Sequence, residues 1–251
     1  MINFQAIYAI LLREIKVFVR EKERIISILI SPLLFLFVIG RGISSSLPAH
    51  GYTYQQFIFP GILAMVILFT SITYGLYIIW DKRLDFLKEV LVAPISRATL
   101  FLGKASGGIF GALIETLMLL AIGAVFILPI TPLEALLCFL TAVPVSFMIV
   151  SIGLSIGGLM KSMEGFGLVM SFLTWPMFFF SGALFEIKDT DLYLKVISLV
   201  NPFTYCVDLM RKILLDYSSF SLAADLGVIS AWIVITSFVG IKIFGNLQQN
   251  K

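Results

Sequence analysis

Glu115 is the residue of this chain whose position most invites proton chemistry. It lies about a dozen residues into a long apolar run, where an ionised carboxylate is costly and must be protonated, paired or turned into a bundle interior. A relay needs partners at the same depth, and no second acid or base stands there. Two readings therefore sit side by side: a proton-relay or substrate contact, and a helix-helix hydrogen bond. Other reactive types are as sparse. His50 is the single histidine, placed beside Tyr52 and Tyr54 as an interfacial residue. Cys138 and Cys206 lie in apolar surroundings without metal-ligand spacing, which reads as two unreactive thiols and no metal site. Gly103-Lys104 lacks both the upstream glycine and the following Ser or Thr of a phosphate-binding G-x-x-x-x-G-K-[ST] loop. With no catalytic cluster and no nucleotide motif, the chain is expected to hold no cofactor and to be no enzyme. Any energised step must draw on another polypeptide or on an ion gradient.

The composition states where such residues must sit. Hydrophobic residues make up 59% and charged residues only 13%, with a mean hydropathy of +1.03. Apolar runs near twenty residues recur, so the class is an all-α, multi-pass membrane protein rather than a soluble domain or a β-barrel. The net charge of +3 is small and its basic residues cluster between apolar runs, so nucleic acid is not an expected partner. The first two dozen residues mix both charge signs and lack a short apolar core with a cleavage site, which argues against a signal peptide.

Six spans are predicted, at residues 25–43, 57–80, 103–128, 133–160, 166–185 and 222–244. Residues 1–24 precede them as an amphipathic helix on the membrane surface. Its apolar stripe is Phe4, Ile7, Tyr8, Leu11, Leu12, Ile15, Phe18 and Val19, and its basic row is Arg13, Lys16 and Arg20. Pro32 predicts a kink in the first span. Ser151, Ser155 and Gly158 form a small-residue row suited to close helix approach in the fourth. Residues 186–221 mix charge with apolar stretches too short to span. The break at Asn201-Pro202, where the residue before proline leaves helical geometry, predicts a re-entrant hairpin.

Lysine and arginine placement orients the chain. Arg13, Lys16, Arg20, Lys22, Arg24, Lys82, Arg83, Lys88, Arg97, Lys104, Lys161, Lys242 and Lys251 fall on one side. The remaining five, Arg41, Lys188, Lys195, Arg211 and Lys212, fall on the other. Both termini and residues 81–102 are then cytosolic, and the hairpin lies outside, in the cytoplasmic (inner) membrane of a cell. Residues 81–102 form an elbow. Leu84, Leu87 and Leu91, with Phe86 and Val90, make one apolar face opposite Asp85, Lys88 and Glu89. Pro94 ends that helix, and Ser96 is positioned to cap the next one, which carries Arg97 and Lys104 into the third span.

These features resemble the permease subunit of type-2 ATP-binding-cassette (ABC) exporters, the group that includes drug-resistance, nodulation-factor and capsule-export permeases. The resemblance covers essentially the whole chain. It rests on the N-terminal amphipathic helix, Phe57-Ile58-Phe59-Pro60-Gly61, and the elbow's Lys88-Glu89-Val90-Leu91-Val92-Ala93-Pro94-Ile95-Ser96-Arg97 with Lys104. It rests further on Ser181-Gly182-Ala183-Leu184-Phe185, and on Asn201-Pro202-Phe203-Thr204-Tyr205 with Arg211. The resemblance implies a single permease domain that works as a dimer, with a second, identical permease subunit. Two separate ATP-binding subunits would hold ATP and Mg. The elbow would be the coupling helix, with Asp85, Lys88, Glu89, Leu91, Pro94 and Arg97 meeting the ATPase. Arg13, Lys16 and Arg20 would mark a second contact, and Asn201, Pro202 and Arg211 would belong to the hairpin capping the exit. The rival reading is an ion-gradient-driven carrier using Glu115.

Overall fold

The computed structural model describes residues 2–43, 51–84 and 95–246, and every regular element among them is helical. Helix α1 (Phe4–Arg20) is capped by Asn3, whose side chain accepts from the Gln5 and Ala6 amides. Helix α2 (Lys22–Leu34) contains Pro32 and passes into a π turn (Phe35–Ile39) and a short α3 (Gly40–Ile43). The widened turn begins three residues after the proline, which itself lacks an amide hydrogen and crowds the turn before it.

Helix α4 (Tyr54–Arg83) is the centre of the molecule, and every residue from Phe57 to Leu68 is buried. Thr53 and Gln56 form a reciprocal capping box at its start. Helix α5 (Arg97–Phe126) begins where expected, with the Ser96 side chain accepting from the Thr99 amide. A second capping box, Thr131 with Glu134, opens α6 (Pro132–Leu159), with Pro132 at the first helical position. Then come α7 (Met163–Phe179), a 3-10 turn (Ile187–Asp189), α8 (Leu192–Val200), α9 (Pro202–Leu215) and α10 (Leu222–Asn246). Among the described residues, α4, α5, α6 and α10 are long and apolar enough to cross a membrane. Shorter apolar helices run over Ile26–Gly42 and Met163–Phe179.

Glycines let α4 and α6 touch backbone to backbone. A Cβ on Gly75 would meet the Gly153 carbonyl oxygen at 2.0 Å, and one on Gly157 would meet that of Gly75 at 2.0 Å. Such contacts replace the hydrophobic drive that lipid cannot supply between helices. The row Ser151, Ser155 and Gly158 serves another purpose. Both serines bond back to carbonyls one turn earlier, while Ser155 and Gly158 approach α10 at Gly240 and Ile243.

Two elements differ from the sequence reading. Helix α7 ends at Phe179, six residues before the predicted end of the fifth span, because Ser181-Gly182-Ala183 forms a turn with Gly182 at φ +74°. The run stays apolar through the turn, so hydropathy does not reveal it. Helix α1 is rotated relative to the sequence reading: Phe4, Tyr8, Leu12 and Val19 of its apolar stripe are exposed, Phe18 of the same stripe is buried, and Glu14 is buried beside it. Against lipid an apolar side chain can face outward at little cost, while a charged group needs protein partners.

Candidate functional site

Three distant segments converge at the C-terminal end of α4. Glu14, Asp81 and Lys104 are 2%, 3% and 1% exposed. Lys104 Nζ donates to Glu14 Oε1 at 2.6 Å and makes a close ion pair with Asp81. Half-buried Arg13 donates to Glu14 Oε1 at 2.8 Å and to Asp81 Oδ1 at 2.9 Å. Two cations alternate with two anions, each carboxylate is shared by both cations, and the box is neutral. Removing one member leaves an uncompensated buried charge, which is far costlier than losing a surface pair.

The local sequence explains how α1 reaches this position. Gly103, Gly107 and Gly111 line one side of α5 at four-residue spacing. Added Cβ atoms there would meet Ile10 at 2.9 Å, Glu14 at 2.5 Å and Phe18 at 3.1 Å, also four residues apart. Helix α1 therefore runs parallel to the first turns of α5, seated in a glycine groove. The Asn3 amide donates to Thr99 Oγ1 at 3.1 Å at one end, and Tyr77 bonds Glu21 at the other. A cleft of about 580 Å³ opens beside the box, lined by Arg13, Glu21, Tyr77, Trp80 and Asp81. Next to Asp81, Lys82 donates to the carbonyls of Gly157 (3.1 Å), Gly158 (2.5 Å) and Met160 (3.2 Å). It thereby satisfies the carbonyls left over at the C-terminus of α6.

A second cluster lies at the opposite end of α4. Arg211 is 1% exposed. It donates to the Gly182 carbonyl at 2.7 Å and stacks over Phe57 with its guanidinium carbon 4.3 Å from the ring centre. Burial lowers its pKa to about 10, partly offset by Asp208, Tyr217 and Glu186, so it remains a cation at neutral pH. Asn201 donates to the Met177 carbonyl at 2.7 Å and caps α9 by accepting from the Phe203 amide. Asp208 accepts from the Ser219 and Phe220 amides at 2.7 and 3.0 Å. A Cβ on Gly61 would strike the Ala183 carbonyl at 2.6 Å. Segments 57–61, 181–185 and 201–211 thus meet in one place.

The sequence-predicted residues divide accordingly. Asp85, Lys88, Glu89, Leu91, Pro94 and His50 lie outside the described residues. Arg97 is the first residue of α5 and is partly buried, while Lys16 and Arg20 are exposed on α1. Arg13 joins the ion box, and Asn201, Pro202 and Arg211 are brought together at the other end. Glu115 is fully buried and hydrogen-bonded to Thr70 of α4, a bond between two helices. Cys138 and Cys206 are buried, free thiols. Sequence reasoning missed the pairing of Glu14 with Lys104 and the role of Asp208. The Gly-x-x-x-Gly-x-x-x-Gly row beside Lys104 was the available signal for the first.

An all-helical chain with long apolar helices and a charged cluster at one end of its central helix defines a multi-pass membrane protein. The comparisons with known proteins specify it further. Residues 5–215 match the ABC-2 type transporter family model, and the chain belongs to that family. It is 24% identical to the inner membrane transport permease YadH of Escherichia coli, over 91% of this chain and 90% of the relative. It is 26% identical to the putative transport permease ycf38 of Cyanophora paradoxa, over 94% and 87%. It is 25% identical to the probable multidrug ABC transporter permease YbhR of E. coli, over 78% of this chain and 53% of that one. The chain is accordingly a transport permease, a non-enzymatic membrane subunit of a family that normally pairs with an ABC ATP-binding subunit.

Proposed function

We propose that this chain is the membrane half of an ATP-driven exporter. Two copies would work with two separate ATP-binding subunits, which hold ATP and Mg. The observation that carries this reading is the bracing of the elbow's roots. Asp81 and Lys104 enter the same ion box, and Lys82 caps α6. A partner pressing on the elbow would therefore move α1, α4, α5 and α6 together, as a coupling element requires.

In this reading the single permease domain has six spans, the two shorter apolar helices being the first and fifth. Both termini and the elbow are cytosolic, as the distribution of lysine and arginine argues. Residues 186–221 form the outer re-entrant hairpin, with α8 and α9 as its two limbs and Arg211 anchoring it. Asp85, Lys88, Glu89, Leu91, Pro94 and Arg97 meet the ATPase, and Lys16 and Arg20 on α1 supply a second contact. The cargo is amphiphilic, drug-like, lipid-like or glycan-bearing, consistent with the word multidrug in one relative's name.

Charge reversal at Glu89 or Arg97, in the permease co-expressed with its ATP-binding subunit, tests this reading. The expected result is normal membrane insertion, retained ATP hydrolysis and loss of ATP-driven efflux. Full coupled transport in both variants would count against the elbow's role.

A further inference from the structure

The ion box has a feature that the coupling reading alone does not require. Its two α4 and α5 members, Asp81 and Lys104, stand at the two roots of the elbow, whereas Arg13 and Glu14 stand side by side on α1. Lys104 bonds both carboxylates, and so does Arg13. Both roots and α1 therefore share one set of ion pairs, in addition to the contacts each root makes with α1 separately. Steric fit acts in the same direction. The Ile10, Glu14 and Phe18 side chains fill the groove over Gly103, Gly107 and Gly111, which resists sliding of α1 along α5. Lys104 is almost wholly buried, so water cannot take over its bonds, and its position on the rigid second turn of α5 fixes where the charge sits.

We propose that Arg13, Glu14, Asp81 and Lys104 form an internal clamp that holds α1 and both roots of the elbow as one lever, with Lys104 as its positioning residue. This inference rests on the coupling reading above and assigns the step that reading leaves open: how force at the elbow reaches α1 without being lost in separation of the roots. The clamp is built within one chain, so it is complete before any partner docks. Lys104 touches neither partner nor cargo in this account. Its role is to keep two carboxylates from different helices at one point.

The test uses the full permease with its ATP-binding subunit in proteoliposomes, and spin labels at Ala9→Cys and Arg83→Cys, both at exposed positions. In Lys104→Met the label distance distribution should broaden, and transport per ATP hydrolysed should fall about tenfold or more, as expected when a buried ion pair is broken. Lys104→Arg should retain both properties. A disulfide between Ile10→Cys and Gly103→Cys, whose Cβ positions at 3.0 Å need only ease apart to the roughly 3.5–4.5 Å a disulfide takes, should restore coupling to Lys104→Met and lose it again on reduction. If Lys104→Met proves too unstable to purify, Lys104→Gln decides: it keeps a polar group at the two carboxylates but removes the charge that holds them together, and it should also broaden the distribution and lower coupling.

An unchanged distance distribution in Lys104→Met would overturn the clamp, whatever the elbow does. A broadened distribution with normal coupling would overturn its role in transmission. Failure of the coupling reading itself looks different: Glu89 and Arg97 reversals then leave transport intact while the label distances still depend on Lys104.

Discussion

The two ends of α4 both bury charge, but they satisfy it in opposite ways. At the elbow end, Arg13, Glu14, Asp81 and Lys104 answer one another across three helices. At the end nearest α9, Arg211 donates to a backbone carbonyl and lies on the Phe57 ring, and Asp208 accepts from two backbone amides. Bonds to backbone fix the shape of a turn and hold one segment in place. Bonds among side chains of separate helices instead couple the positions of those helices. The α9 end is thus fixed in shape by its own backbone, whereas the other end ties three helices together, as the proposed coupling role would need.

The comparison breaks most readily at the joint. Asp81→Lys places a third cation beside Arg13 and Lys104, and should cost about 3–5 kcal/mol, the range for disrupting a buried pair. Thermal unfolding in detergent measures this as a lower Tm. Arg211→Met comes next. It strips the Gly182 carbonyl of its donor and should cost about 1–3 kcal/mol, the penalty of an unsatisfied buried polar group. Under the proposed coupling, in which force enters at the other end, the transport lost per ATP should be smaller than for Asp81→Lys. Asn201→Ala removes both a helix cap and the partner of the Met177 carbonyl, at about 1–2 kcal/mol, with protease sensitivity between α8 and α9 as the readout. Smallest is Glu115→Gln, which keeps a hydrogen-bonding group at Thr70 and should leave transport near wild type. Loss of transport there, with a proton gradient sufficing in place of ATP, would instead favour the carrier that uses Glu115.

Much of the architecture was legible in one dimension because it is carried by local signals. Ser96 caps α5, and Asn201-Pro202 separates α8 from α9, as their chemistry dictates. Hydropathy placed α4, α6 and α10 close to their observed ends, while α5 begins at Arg97, a turn and a half before residue 103. The turn at Gly182 was hidden because apolar side chains continue through it, leaving only Ser181-Gly182 to mark a left-handed backbone. The ion box was hidden for a different reason. Glu14 and Lys104 are 90 residues apart, and each reads as an ordinary charge beside a membrane. On α1 half of the stripe chosen by hydrophobicity (Phe4, Tyr8, Leu12 and Val19) faces outward, whereas the packed edge runs through Ile10, Glu14 and Phe18, selected by glycines on another helix.

The central claim is that the elbow end receives the ATP-binding subunit. Photo-crosslinking in native membranes tests it most directly, with one reactive group introduced at Arg97 and another at the exposed Lys188. The account predicts that the ATP-binding subunit is captured from position 97 and not from position 188. Capture from position 188, or from neither while the subunits co-purify, would contradict it.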